Sequence, residues 1–116
     1  MSESDCLFCK IVAGEIPAEV IWESDSAVAF RDINPQAPTH VLVIPKRHVA
    51  TINDLSDDDR ETVGDLFIAA KGIAADEGLA EDGYRVVMNC NAAAGQTVFH
   101  IHLHLLGGRQ MTWPPG

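Results

Sequence analysis

The chain has no apolar run approaching the ~20 residues that span a bilayer; one of its densest stretches, Val41 to Ile44, covers four residues. No membrane segment is expected. Basic side chains are scarce, with 8 Lys and Arg against 17 Asp and Glu and a formal net charge of −9. That balance excludes a broad electrostatic grip on nucleic acid or an anionic membrane, so an anionic ligand needs a local pocket. Three cysteines, two of them in a C-x-x-C at Cys6 and Cys9, do not make a disulfide framework. Reduced thiols or a metal site fit them better. The opening Met-Ser-Glu-Ser-Asp is acidic and lacks a basic stretch ahead of an apolar one, so no secretory signal is expected and the cytoplasm is the expected location. At 116 residues the chain is shorter than an average domain, and one core is expected over 1–116, with 107–116 as a C-terminal tail.

What is present reads as an α+β arrangement. Leu7, Phe8, Ile11 and Val12 recur at helical offsets and stop at Gly14 and Pro17, which predicts a short helix within residues 5–13. Val20 to Glu23 and Ala27 to Arg31 flank the polar Ser24-Asp25-Ser26 and predict a hairpin. A Pro-containing loop then leads into a β-rich strand, His40 to Ile44. Ser56 and three aspartates precede Val63, Leu66, Phe67, Ala70, Ile73 and Ala74, whose spacing predicts a long helix over 57–77 capped by Gly78. Strands are expected over 84–89 and 98–106, separated by a small-residue loop. The sum is a mainly antiparallel five-stranded sheet with one long and one short helix.

The informative residues are the histidines. Three of the five stand at His100, His102 and His104, interleaved with Ile101, Leu103 and Leu105. On a strand, alternate side chains share a face, so this spacing predicts three imidazoles in a row on one side and three aliphatic anchors on the other. Three uses compete for such a row. It is a solvated histidine face, a metal site closed by another element, or an imidazole nucleophile flanked by donors that bind a phosphate in its transition state. Alternate residues on one flat strand converge poorly on a tetrahedral ion, and a bare row of titratable rings has little structural use, so the third is the favoured reading.

The run from Gly95 to Gly116, GQTVFHIHLHLLGGRQMTWPPG, resembles the signature of the histidine triad (HIT) superfamily, in which histidine alternates with hydrophobic residues. The closing GGRQMTWPPG and the stretch Asp32 to His40, DINPQAPTH, are similar to its Hint branch, the nucleoside phosphoramidases. The resemblance implies hydrolysis of the P–N bond of purine nucleoside 5′-phosphoramidates, such as AMP joined to an amine or lysine, through a nucleotidyl-histidine. It assigns the nucleophile to His102, phosphate contacts to His104, and further donors to backbone N–H groups around Gly95, Gln96 and Thr97, with the Thr97 hydroxyl near the leaving amine. Asp32 takes the ribose hydroxyl position, Phe8, Phe30 and Ile33 the walls of the purine pocket, Asn89 a phosphate or ribose contact, and His40 a supporting place behind the triad. Two readings stand beside this one: a dinucleoside polyphosphate hydrolase, and a nucleotide-binding scaffold with little turnover.

Some members of the superfamily complete a structural zinc from a C-x-x-C and two histidines, and the matching residues are Cys6, Cys9, His48 and His100. Two thiolates and two imidazoles suit zinc. A catalytic metal is not implied. The resemblance also implies a twofold homodimer whose Met111-to-Gly116 tail reaches the other subunit, and no nucleic-acid or membrane partner.

Overall fold

The computed structural model describes residues 3–116. Its strands are β1 (Val20–Glu23), β2 (Ala27–Arg31), β3 (Thr39–Pro45), β4 (Tyr84–Val87) and β5 (Leu103–Gly107). They form one antiparallel sheet in the order β1-β2-β3-β5-β4. Two α-helices accompany it, α1 (Leu7–Val12) and α2 (Arg60–Asp76), together with short 3-10 turns. Among the described residues no helix is long and apolar enough to cross a membrane.

Strand periodicity explains the layers. β2 and β3 are buried along nearly their whole length because their alternate residues serve two separate cores. Ala27, Ala29, Val41 and Val43 join Leu66, Ala70 and Ile73 of α2, along with Ile101, Leu103 and Leu105. Val28, Phe30, Leu42 and Ile44 turn the other way, toward Cys6 and Phe8 at α1. A strand covered on both faces reads as an unbroken apolar run, which is the pattern of Val41 to Ile44.

The helix ends follow from their capping chemistry. Cys6 caps α1, its sulfur accepting the Cys9 N–H at 3.4 Å. The expected long helix begins three residues late, because Asp59 folds back onto the Ser56 N–H (2.8 Å) and closes a 3-10 turn over Asp57–Asp59 before Arg60. At the other end Gly78 adopts φ 77°, and the Leu79 N–H reaches back to the Ala74 carbonyl at 2.9 Å. Leu79 thereby enters the core, as a left-handed cap with an apolar residue beyond it should do. Arg31 spans from β2 to the last turn of α2, donating to both Glu77 oxygens at 2.7 and 3.1 Å.

Two strands are shorter than the sequence pattern suggests. β4 stops at Val87, and β5 begins only at Leu103. Residues 98–102 leave the ladder in a bend, anchored where the Ile101 N–H meets the Val49 carbonyl at 2.8 Å. β5 lies inside the sheet, between β3 and β4.

Leu66 is fully buried at the centre of α2. Leu66→Ala is expected to lower the unfolding free energy by about 2–5 kcal/mol, measured by denaturant titration.

Candidate active site

The bend before β5 governs the first imidazole. It does not scatter the rings: Ile101, Leu103 and Leu105 still face α2, while His102 and His104 line a cavity on the opposite side. His102 Nδ1 lies 2.7 Å from the His100 carbonyl. A carbonyl only accepts, so Nδ1 carries the proton and Nε2 keeps a lone pair. Burial pushes the His102 pKa below 6.5, outweighing the opposite pull of that carbonyl and of Asp32. The ring is held neutral, in the tautomer a nucleophile needs.

His104 receives the opposite tautomer from a chain that starts on the backbone. The Gln36 N–H donates to His40 Nδ1 at 3.0 Å, which leaves the His40 proton on Nε2. That nitrogen stands 2.9 Å from His104 Nδ1 and 3.5 Å from Asp32 Oδ2. With His40 Nε2–H donating to Nδ1, the proton of His104 sits on its Nε2. Burial, reinforced by the neighbouring His102 and His40, pushes the His104 pKa down to about 4. His40 is also lowered by burial, against the pull of Asp32. Two rings 4.9 Å apart therefore present different atoms, a bare nitrogen on His102 and an N–H on His104.

The cavity before them measures about 360 Å3. Phe8 stands edge-on to both Phe30 (5.4 Å) and His102 (5.0 Å) and joins the apolar end to the reactive end. Leu42, Ile16, Pro17 and Ala18 extend the apolar wall, and Asp32 and Thr97 supply polar groups. One Asp32 oxygen already accepts the Asn34 N–H at 2.8 Å, which fixes the carboxylate in its turn.

Behind His102 lies a second cluster. Cys6 Sγ is 3.4 Å from His100 Nδ1, and Cys9 Sγ is 3.2 Å from His48 Nδ1 and 3.5 Å from His100 Nδ1. His100 Nε2 donates to the Pro45 carbonyl at 2.7 Å, so Nδ1 turns a lone pair toward the sulfurs. Metal-binding histidines are commonly oriented in this way by their outer nitrogen. The four donor atoms lie within 4.8 Å of one another. Burial, with the adjacent Cys6, pushes the Cys9 thiol up to about 11, an environment in which a bound cation would be needed to hold thiolates. The set could bind a metal ion, and its S2N2 composition fits zinc.

Residues 13–111 match the family model described as the HIT domain. This chain belongs to the HIT family. It is 49% identical to the purine nucleoside phosphoramidase of Escherichia coli over 107 residues, 92% of this chain and 90% of that protein. The crystal structure of a HIT family hydrolase from Legionella pneumophila superposes with a TM-score of 0.95 at 64% identity, covering 97% of this chain and 100% of the other. A zinc-bound histidine triad family protein from Mycobacterium smegmatis superposes with a TM-score of 0.81 at 40% identity, over 93% of this chain and 78% of that one. The chain is a HIT-family hydrolase with a C-x-x-C at Cys6 and Cys9.

Within this HIT fold the expected site residues do not all converge. Phe8, Phe30, Asp32, Thr97, His102 and His104 meet at the cavity, and His40 reaches it through His104. Cys6, Cys9, His48 and His100 meet behind it. Ile33 also lines the cavity, at its mouth, where its side chain is fully exposed. Asn89 is half-buried and is not among the lining residues. The expected donors of Gly95 and Gln96 are occupied within their own loop, by the Ala92 and Asn91 carbonyls. The sequence reading assigns Pro17 only a helix-stopping role and gives Ile16 and Ala18 none, yet all three line the cavity. It also missed Gln36, whose contribution is a main-chain N–H that any non-proline residue carries.

The depressed pKa of His104 has a definite sign in stability. Unfolding releases the ring to its ordinary value of 6.5, so the unfolded chain takes up the proton first as pH falls. The contribution of a neutral His104 is complete above 6.5 and is lost as pH drops toward about 4. Denaturant unfolding across this window should show the wild type losing more stability on acidification than His104→Gln.

Proposed function

We propose that this chain hydrolyses the P–N bond of purine nucleoside 5′-phosphoramidates, AMP bearing an amine or a lysine, through a covalent nucleotidyl-His102. The observation that carries the reading is the pair of opposed tautomers: an unprotonated nitrogen on His102 beside an N–H on His104. The name of the Escherichia coli relative supports the substrate class.

In this reading the base lies against Phe8, Phe30 and Leu42, and Asp32 accepts from the ribose hydroxyls. His102 Nε2 attacks the α-phosphorus as the P–N bond breaks, and the electron pair leaves with the amine, which takes a proton from solvent while Nδ1 keeps its own. His104 Nε2–H and Thr97 stabilise the extra negative charge on the phosphoryl oxygens. Water then attacks the phosphorus of the nucleotidyl-imidazolium and gives up a proton to solvent, releasing AMP and restoring neutral His102. Since His102 starts neutral, no proton has to leave it before attack.

Cys6, Cys9, His48 and His100 would hold a structural zinc. The ion would supply charge compensation for two thiolates and fix the segment that carries the His100 carbonyl. Four protein donors close a tetrahedral site, so the displacement is assigned to imidazole rather than metal. The reduced thiols this requires suit the cytoplasm.

A twofold homodimer belongs to the same proposal. β4 is an edge strand with one side unpaired, and Trp113 is 82% exposed. A second copy would cover both and bring the tail toward the neighbouring site.

His102→Ala should lower hydrolysis of an AMP-amine conjugate by about a thousandfold or more while AMP still binds. Full retention of turnover would end the nucleotidyl-histidine assignment, and faster turnover of a dinucleoside polyphosphate than of the amine conjugate would reassign the substrate class. Cys9→Ser is expected to abolish stoichiometric zinc in elemental analysis and to lower the melting temperature.

A further inference from the structure

The loop between β4 and the triad contains a buried side chain that no step above uses. Gln96 is 5% exposed, and its carboxamide makes three hydrogen bonds. Its Oε1 accepts the Asn91 N–H at 2.8 Å, and its Nε2 donates to the Ala50 carbonyl at 2.8 Å and the Val98 carbonyl at 3.1 Å. Only one orientation of the amide satisfies all three, because a flip would set N–H against N–H and oxygen against two carbonyls. The bonds join the start of the loop, the chain just after His48, and the chain entering the bend before His100.

At the far end of this connection the backbone is strained. Asn91 has φ 66° and ψ −177°, a region occupied almost solely by glycine. Its N–H is held by Gln96 Oε1, and its carbonyl receives the Ala94 and Gln96 N–H groups. A conformation this unfavourable persists only where its surroundings enforce it. Thr97 lies between Gln96 and Val98, two positions tied together by a single side chain, and it lines the cavity with His102 and His104. Gln96 itself does not line the cavity.

We infer that Gln96 is a positioning residue: its carboxamide clasps residues 91–98 so that Thr97 is held at the reactive end of the cavity, with Asn91 forced into a glycine-like conformation to close the clasp. Gln96 acts through Thr97 and not through the nucleoside wall formed by Phe8, Phe30 and Leu42. Loosening it should therefore slow turnover without weakening the grip on AMP. The inference rests on the phosphoryl-transfer reading above.

The test uses Gln96→Met, which keeps length and removes the hydrogen bonds, alone and combined with Asn91→Gly. Turnover of an AMP-amine conjugate is compared with the dissociation constant for AMP. Gln96→Met should reduce kcat about ten- to a hundredfold, with the AMP dissociation constant within about threefold of wild type. Adding Asn91→Gly should restore part of the loss, because glycine adopts the required conformation without the Oε1 contact. A merely structural role would not give that recovery. Wild-type kcat in Gln96→Met, or parallel losses of kcat and AMP affinity with no recovery from Asn91→Gly, would overturn the inference. Gln96→Glu is the second arm if the methionine variant does not fold; it keeps the acceptor for Asn91 but opposes two carbonyls, and a wild-type kcat there counts equally against the clasp. Wild-type turnover tests the phosphoryl-transfer reading by itself. Should the wild type be inactive, that reading fails and the clasp is judged by amide hydrogen exchange at Thr97 and Val98, which Gln96→Met must accelerate and which, if unchanged, refutes it.

Discussion

The proposed chemistry of this molecule depends on one hydrogen bond, from His102 Nδ1 to the carbonyl of His100 two residues earlier. An isolated imidazole near neutral pH divides its proton between two nitrogens and, on acidification, carries one on each. Here an acceptor that cannot donate removes the choice, and burial suppresses the second proton. The same residue that supplies the carbonyl turns its own ring toward Cys6 and Cys9 and is tied to Pro45 at the end of β3. The tautomer of one histidine is thus anchored to the sheet through its neighbour.

His104 is governed by an equally local rule of opposite sign. A backbone N–H in the loop before β3 sets His40, and His40 sets His104. The two rings present different atoms because one is addressed by a carbonyl and the other, through a relay, by an amide. Their shared surroundings cannot distinguish them, since both are neutral and both border the same cavity.

Much of the framework was legible from side-chain pattern. Alternation of Ile101, Leu103 and Leu105 with the histidines marked the two faces, and Gly78 followed by Leu79 marked the end of α2. The C-x-x-C and the triad resemblance brought together four residues that the fold does place in one cluster. What escaped was set by the backbone. The bend at 98–102 arises because Ile101 bonds to Val49 outside the ladder, and nothing in the residue types of that stretch announces it. The charge of the three aspartates suits a helical first turn, whereas Asp59 spends its carboxylate on Ser56 and delays the helix. The apolar wall at Ile16, Pro17 and Ala18 was hidden because proline marks an ending in a sequence and says nothing of what the ending faces.

Helix α1 carries a consequence for any redesign of the cavity. Its six residues present Phe8 to the cavity, while its capping sulfur on Cys6 and its own Cys9 face His48 and His100. Cavity wall and metal-type cluster are therefore opposite sides of one short rigid peg. A graft that exchanges the wall must transplant the cysteines in register, or the new pocket will arrive unmoored from the segment that carries His100 and His102.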